Sequence, residues 1–326
     1  MDLPKLTGLD ISGKRVLVRL DLDTEPNLND LRIKASEETL NFLKENEAQI
    51  IIIGHKGRPG GKVDEVLSLK PFQSIFDKWG AKVEENLRFD PGEEKNDPEF
   101  AQKLASLGEI YVNEAFAVSH RQHASIVALP LQFKSTSKNS VAAGFRFIKE
   151  VENLEKVLEN PKKPTLAIIS GIKEDKVQMA KDLTKIFDKI LVGGRLPEYM
   201  GDERLVSVRV RGENEKLVIG NLTQDKEDIT LNTIGAFKEE IKKARTILLA
   251  GVLGKYEDEG HRQGTKEIFE AVANSSAFKV AGGGDTEAAI TVLKLNDKFD
   301  WMSVGGGAML EFLCNKTLPG IEALLH

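Results

Sequence analysis

Short, uninterrupted apolar runs alternate along this chain with longer amphipathic stretches, and that alternation constrains the fold most. Val16-Leu-Val-Arg-Leu20, Ile50–Ile53 and Glu109-Ile-Tyr-Val112 read as buried strands in the first half. Thr165–Ile169, Lys189-Ile-Leu-Val192, Thr246-Ile-Leu-Leu249, Phe278-Lys-Val-Ala281 and Trp301-Met-Ser-Val304 do the same in the second. Apolar residues at three- and four-residue spacing between them predict helices, such as one over Leu31–Asn46. Strand–helix alternation of this kind predicts an α/β fold with parallel sheets covered by helices on both faces.

With 326 residues, the chain has room for two domains. The polar tract Lys134–Ser140 should start a helix over Val141–Asn160, ended by Pro161-Lys-Lys-Pro164. Such a helix would join two lobes, or else pack on one of them. A net charge of −5 makes the chain a poor candidate for bulk nucleic-acid binding, which needs a strong basic footprint. The single cysteine, Cys314, excludes an intramolecular disulfide and a cysteine-based zinc cluster. Neither a signal-peptide core after Met1 nor an apolar run of about 18 residues is present, so the expectation is a cytoplasmic protein.

Glycine is unevenly placed. Gly282-Gly-Gly284, Gly305-Gly-Gly307, Gly193-Gly194 and Ser170-Gly171 each close a strand candidate. Turns of that kind let backbone amides approach an anion, although any one of them could serve only tight packing. Neither the P-loop pattern nor the dinucleotide fingerprint occurs, which disfavours a nicotinamide-dependent dehydrogenase. In the first half, Asp21, Asp23, Arg32, His55-Lys-Gly-Arg58, Arg88 and His120-Arg-Gln-His123 follow or flank the strands. Arginine forks with histidines suit a small multiply anionic molecule, with separate surface ion pairs as the alternative. A metal pair at His120 and His123 lacks a third ligand. Lys173 and Lys176 follow a strand, where a lysine can meet a transferring phosphoryl group. Asp285 can hold Mg²⁺ or cap a helix. Together these features describe a two-lobe phosphotransferase.

Those residues carry a resemblance. Val18-Arg-Leu-Asp21, His55-Lys-Gly-Arg-Pro59, the block Glu85–Phe100, Tyr111-Val-Asn-Glu-Ala-Phe116 and His120–Ser125 occur in the order found in phosphoglycerate kinases. Gly282-Gly-Gly-Asp285, Gly305-Gly-Gly-Ala308 and Leu318-Pro-Gly320 continue the series, so the chain resembles that family over nearly its whole length. The resemblance implies two Rossmann-like lobes joined by a long helix and a hinge. One lobe would comprise residues 1–147, with 312–326 returning to it, and the other 148–311. It implies a phosphoglycerate site of Asp21, Asp23, Arg32, His55, Arg58, Arg88 and Arg121. It implies a nucleotide site of Gly171, Lys173, Lys176, Gly194, Gly251, Glu257, Gly282, Gly283, Gly284, Asp285 and Thr286. Arg32, Lys173, Gly283 and Gly284 would act on the transferring group, and Asp285 would hold Mg²⁺ brought with ATP or ADP. The expected partners are these small molecules alone, bound by a monomer.

Departures accompany the match. Asp23 stands where the family has asparagine, and the chain is shortened between Pro71 and Glu85 and again between Gly194 and Asp228. Thr230–Thr233 and Ala250 replace family residues of the nucleotide side. The expected activity is phosphoglycerate kinase. The alternative is a catalytically weak acid-binding protein with an eroded nucleotide lobe.

Overall fold

A computed structural model describes residues 1–137, 139–172, 174–200, 209–210 and 216–326. Lys173 and much of the shortened segment after Gly194 lie outside the described residues. The chain divides into two compact units, Met1–Glu152 with Thr317–His326, and Asn153–Lys316.

The first unit is built on a parallel sheet of β1 (Arg15–Arg19), β2 (Gln49–Ile53), β3 (Lys82–Val83), β4 (Ile110–Asn113) and β5 (Val141–Ala143). Their spatial order is β3-β2-β1-β4-β5. Val16 sits opposite Ile50 on one side and Ile110 on the other. A central parallel strand is covered on both faces, which is why these segments read as continuous apolar runs instead of alternating ones. Val16, Val18, Ile50, Ile52 and Val112 form one core with Phe72, Phe76 and Trp79.

The second unit holds β6 (Thr165–Gly171), β7 (Lys189–Gly194), β8 (Arg209–Val210), β9 (Leu217–Ile219), β10 (Thr246–Ala250), β11 (Phe278–Gly282) and β12 (Trp301–Ser303). The order is β12-β11-β10-β6-β7-β9-β8, parallel throughout except for the antiparallel β8–β9 pair. Leu166, Ile168, Ile247 and Leu249 pack against Phe237, Ile268 and Phe269 of the covering helices. Both units are thus parallel α/β domains, and no helix of the described residues is long and apolar enough to cross a membrane.

Two sequence expectations are corrected. The helix over Leu31–Asn46 is two helices, Leu31–Ala35 and Glu37–Glu45. Ser36 breaks it, since its hydroxyl donates back to the Ile33 carbonyl at 2.7 Å and competes with the backbone ladder. The helix expected over Val141–Asn160 begins only at Phe145, because Val141–Ala143 is a fully buried strand paired with β4. Gly144 turns the chain between them. A Cβ there would lie 2.1 Å from Oε2 of Glu114, whose carboxylate accepts the Arg146 and Phe147 amides at 3.2 and 3.0 Å. Glu114 thereby serves the start of the helix Phe145–Leu158 from the residue that follows β4. Burial pushes its carboxyl up to about 7, against the pull of Thr39 and those amides.

Candidate functional site

Each sheet presents its strand C-termini to loops that carry the chemistry, the usual place for ligands in open α/β sheets. In the first unit, β1 lies between β2 and β4, so the chain leaves it in opposite directions on either side. Asp21 and Asp23 follow β1, His55 follows β2, Arg88 follows β3 and Arg121 follows β4.

Arg19, the last residue of β1, is fully buried and organises this cluster from below. Its Nε donates to Ser125 Oγ at 2.9 Å, and Nη1 donates to the Leu20 carbonyl. Nη2 lies 2.9 Å from Nδ1 of His55. The Ser125 hydroxyl in turn donates to the buried Glu93 carboxylate at 2.6 Å. His55 is held well below its ordinary pKa, first by burial and then by Arg19, Arg88 and Arg121. The structure therefore brings His55 within the field of those arginines.

Arg32 spans two acids. Its Nε stands 3.4 Å from Asp21 Oδ2, and its Nη1 donates to the Asp23 carbonyl. Burial raises the pKa of Asp21, with Arg32 opposing. The Asp23 carboxylate accepts the Gly57 amide at 2.7 Å and lies 3.9 Å from Nε2 of His55. Arg88 is buried and donates from Nη1 to the Gly57 carbonyl at 2.7 Å. Its Nε approaches Glu94 at 3.3 Å without forming a hydrogen bond. His120 Nδ1 and His123 Nδ1 are also buried with no hydrogen-bond partner. Burial first, then the neighbouring arginines, push both imidazoles down to about 4. Among the described residues Arg121 has no ion-pair partner, and Arg58 is exposed. Arg88 Nε, which makes no hydrogen bond, and Arg121, without an ion-pair partner, leave cationic donors for an acceptor, and a compact polyanion supplies several.

The second unit contains a cavity of about 550 Å³ where β6, β7 and β10 end. Gly171, Lys176, Gly194, Gly251, Glu257 and Asp285 all line it. Gly251 sits at φ 116°, and a Cβ there would lie 2.2 Å from the Ser170 carbonyl oxygen. Only glycine lets β10 end so close to β6. The Lys176 ammonium donates to that same carbonyl at 2.9 Å. Asp285 and Glu257 are exposed carboxylates on this surface.

Other expected residues sit elsewhere. Gly282 is buried against Met309, while Gly283 and Gly284 lie at the start of the helix Gly284–Val292, outside the cavity lining. Gly283 has φ 108°, and a Cβ on Gly306 would meet its Cα at 2.6 Å, so two glycine triplets pack backbone to backbone. The Thr286 hydroxyl accepts the Gly251 amide at 2.8 Å and thereby fixes the end of β10 to that helix.

The positions that departed from the family pattern have structural work. Ala250 is buried within β10, and Thr230 caps the helix Leu231–Lys243 by accepting the Thr233 amide. Thr233 accepts the Asn221 amide and donates to its carbonyl.

Several residues escaped the sequence reading. Arg19 hides inside an apolar strand. Arg195, Lys226, Lys255 and Tyr256 line the cavity, and of these only Arg195, directly after Gly193-Gly194, carried a positional signal.

The phosphoglycerate kinase family profile matches residues 6–84, 81–217 and 207–316. A phosphoglycerate kinase of Solibacter usitatus is 33% identical over 394 aligned positions, covering 99% of this chain and 100% of that protein. One of Coprothermobacter proteolyticus is 34% identical, covering 100% of this chain and 99% of its own. The solved phosphoglycerate kinase of Coxiella burnetii superposes with a TM-score of 0.80 at 29% identity, over 99% of each chain. That of Pyrococcus horikoshii gives 0.81 at 23% identity over 99% of this chain and 98% of its own, a likeness of fold. With a family match along most of its length and relatives matched end to end, this chain belongs to the phosphoglycerate kinase family.

Proposed function

We propose that the chain catalyses reversible phosphoryl transfer between the acyl phosphate of 1,3-bisphosphoglycerate and ADP, giving 3-phosphoglycerate and ATP. One observation supports this most: Arg32, Arg88 and Arg121 gather with His55 at the strand ends of the first unit, where Arg88 Nε makes no hydrogen bond and Arg121 has no ion-pair partner among the described residues. In this reading the acid binds there, held by Asp21, Asp23, Arg32, His55, Arg58, Arg88 and Arg121. The nucleotide takes the cavity of the second unit, with Glu257 toward the ribose and Lys176 toward the phosphates.

Phosphoryl transfer asks little covalent participation of a protein, so catalysis rests on positioning and on neutralising charge in the transition state. Arg32 and Lys173 supply cationic donors to the transferring group, and the amides of Gly283 and Gly284 add the partial positive charge of a helix N-terminus. Asp285 is an exposed carboxylate on the cavity surface, which fits a Mg²⁺ ion that takes one carboxylate and otherwise phosphate oxygens. Bound there, Mg²⁺ would neutralise charge on the nucleotide phosphates.

The reading of an eroded nucleotide unit loses its footing, because Ala250, Thr230 and Thr233 are integral to a well-formed fold around the cavity. A coupled assay tests the proposal: ATP consumption should require 3-phosphoglycerate and Mg²⁺. Turnover independent of the acid, or none with both substrates saturating, would reject it.

A further inference from the structure

Resting on the reading that the nucleotide occupies the cavity of the second unit, we infer that His261 is a positioning residue for nucleotide binding. It clamps together the two loops that form one flank of that cavity. The first loop brings Lys226 and Glu227 to the lining, and the second brings Lys255, Tyr256 and Glu257. His261 lies outside the lining, in the turn Glu259–His261.

Its ring joins the two loops. Nδ1 lies 2.6 Å from Asp258 Oδ2 in its own loop, and Nε2 lies 2.9 Å from Asp225 Oδ2 in the other. Neither carboxylate is idle otherwise. Asp225 Oδ1 accepts the Thr223 hydroxyl at 2.6 Å and the Glu227 amide at 3.2 Å, so it shapes the turn that carries Lys226 and Glu227. Asp258 accepts the Gly260 amide at 3.1 Å. Lys226 itself has φ 64°, a left-handed conformation that a lysine adopts at a cost, and its ammonium is tied to Glu198 at 2.8 Å. A backbone hydrogen bond from the Lys255 amide to the Glu227 carbonyl, 2.9 Å long, runs beside the clamp. The loop geometry thus depends on contacts from outside it, and the imidazole supplies the side-chain link between the two loops.

An imidazole flanked by two carboxylates can donate to both only when it carries both protons. Asp225 and Asp258 accordingly raise the pKa of His261 above its ordinary value. The other charges facing this group are few. Lys255 stands beside Asp258, and Asp228 feels the His261 charge while its carboxylate accepts the Gly264 amide at 2.9 Å. The Arg262 guanidinium is turned away to the Tyr256 and Glu257 carbonyls. When the proton leaves, one of the two nitrogens faces a carboxylate with a lone pair, and that side of the clamp opens. A raised folded pKa places the full clamp below about pH 6.5 and its loss at higher pH, as His261 titrates in the folded protein.

The test compares wild type with His261→Ala, His261→Arg and Val252→Trp, using KM for ATP, KM for 3-phosphoglycerate, and kcat across pH 6 to 9. His261→Ala should raise the ATP KM about fivefold or more near pH 6, leave kcat and the acid KM within about twofold, and remove the pH dependence of the ATP KM. His261→Arg, whose fork can donate to both carboxylates at every pH, should restore a low ATP KM. If His261→Ala misfolds, Asp225→Asn and Asp258→Asn should give the same KM rise through isosteric changes. Val252 lines the cavity, so Val252→Trp fills it and probes the underlying reading. A wild-type ATP KM in His261→Ala beside a raised one in Val252→Trp overturns the clamp alone. Wild-type values in both overturn the clamp together with the placement of the nucleotide.

Discussion

Arg19 Nη2 meets His55 Nδ1 at 2.9 Å inside the first unit, and a guanidinium can only donate. Nδ1 must therefore accept, which puts the single proton of the neutral imidazole on Nε2, the nitrogen that faces Asp23. The expected outcome is an Nε2-protonated His55 at neutral pH, read from its ring ¹⁵N shifts. Arg19→Leu should release that tautomer and cost about 1–3 kcal/mol for each buried acceptor left unsatisfied. An Nδ1-protonated ring in the wild type would contradict the assignment.

Acid should loosen the first unit before carboxylate titration alone would. His120 and His123 are both pushed down to about 4, against 6.5 in the unfolded chain. Between those values the unfolded chain binds protons that the folded chain refuses, so stability is present above about 6.5 and lost as pH falls toward 4. Urea midpoints measured across this window should fall with pH. In the double variant His120→Asn, His123→Asn the slope should flatten, and an unchanged slope would remove the histidines from the account.

Arg121 has no ion-pair partner among the described residues, whereas Arg32 already serves Asp21 and the Asp23 carbonyl. Replacing either with alanine should weaken 3-phosphoglycerate by about 1.5–3 kcal/mol, the worth of a charge-assisted hydrogen bond. Nucleotide affinity should stay put. Only Arg32→Ala should also destabilise the fold, because it leaves the buried Asp21 without its cation. Calorimetric titration of both ligands decides this, and unchanged acid affinity in both variants would empty the first unit of its role.

Lys173→Ala should act on rate and not on affinity. A donor used mainly in the transition state is worth about 10²–10³ in turnover. Steady-state kinetics separate the cases: a raised KM with near-normal kcat would make Lys173 a ground-state phosphate contact instead.

Gly251→Ala should strike the cavity from its floor. The alanine must adopt φ 116° with its Cβ against the Ser170 carbonyl. Strain of about 1–3 kcal/mol is expected from the backbone alone. A lowered melting temperature and a raised nucleotide KM should appear together, and an unaltered variant would show that β6 and β10 can separate freely.

The central strands were plain in the sequence because a parallel sheet buried on both faces makes each of them a continuous apolar word. The two edge strands of the first sheet were not, whereas Trp301–Ser303 at the edge of the second was. Lys82–Val83 is too short to show a period, and Val141-Ala-Ala143 carries residues that a helix accepts equally well, so tertiary pairing with β4 decided it. Asp21 and His55 were legible because polar residues stood just past apolar runs, and Arg32 because it opens a helix that follows the first of them. Arg19 and His261 were not. One is masked by the apolar run that contains it, and the other acts through partners at Asp225 and Asp258, the first of them 36 residues distant. No spacing rule reports a contact made by two loops.

Residues 317–326 belong to the first unit although the whole second unit precedes them in the chain. The helix Pro319–Leu325 buries Ile321 and Leu324, and Lys134 reaches its last carbonyls at 3.4 and 3.2 Å. On a ribosome, which releases residues in order, the second unit can finish folding while the first still lacks one wall. The nascent first unit must then hold an unfilled apolar seam for the time it takes to make residues 153–316. Its exposure to chaperones and to aggregation is set by translation speed through a part of the protein to which it does not belong.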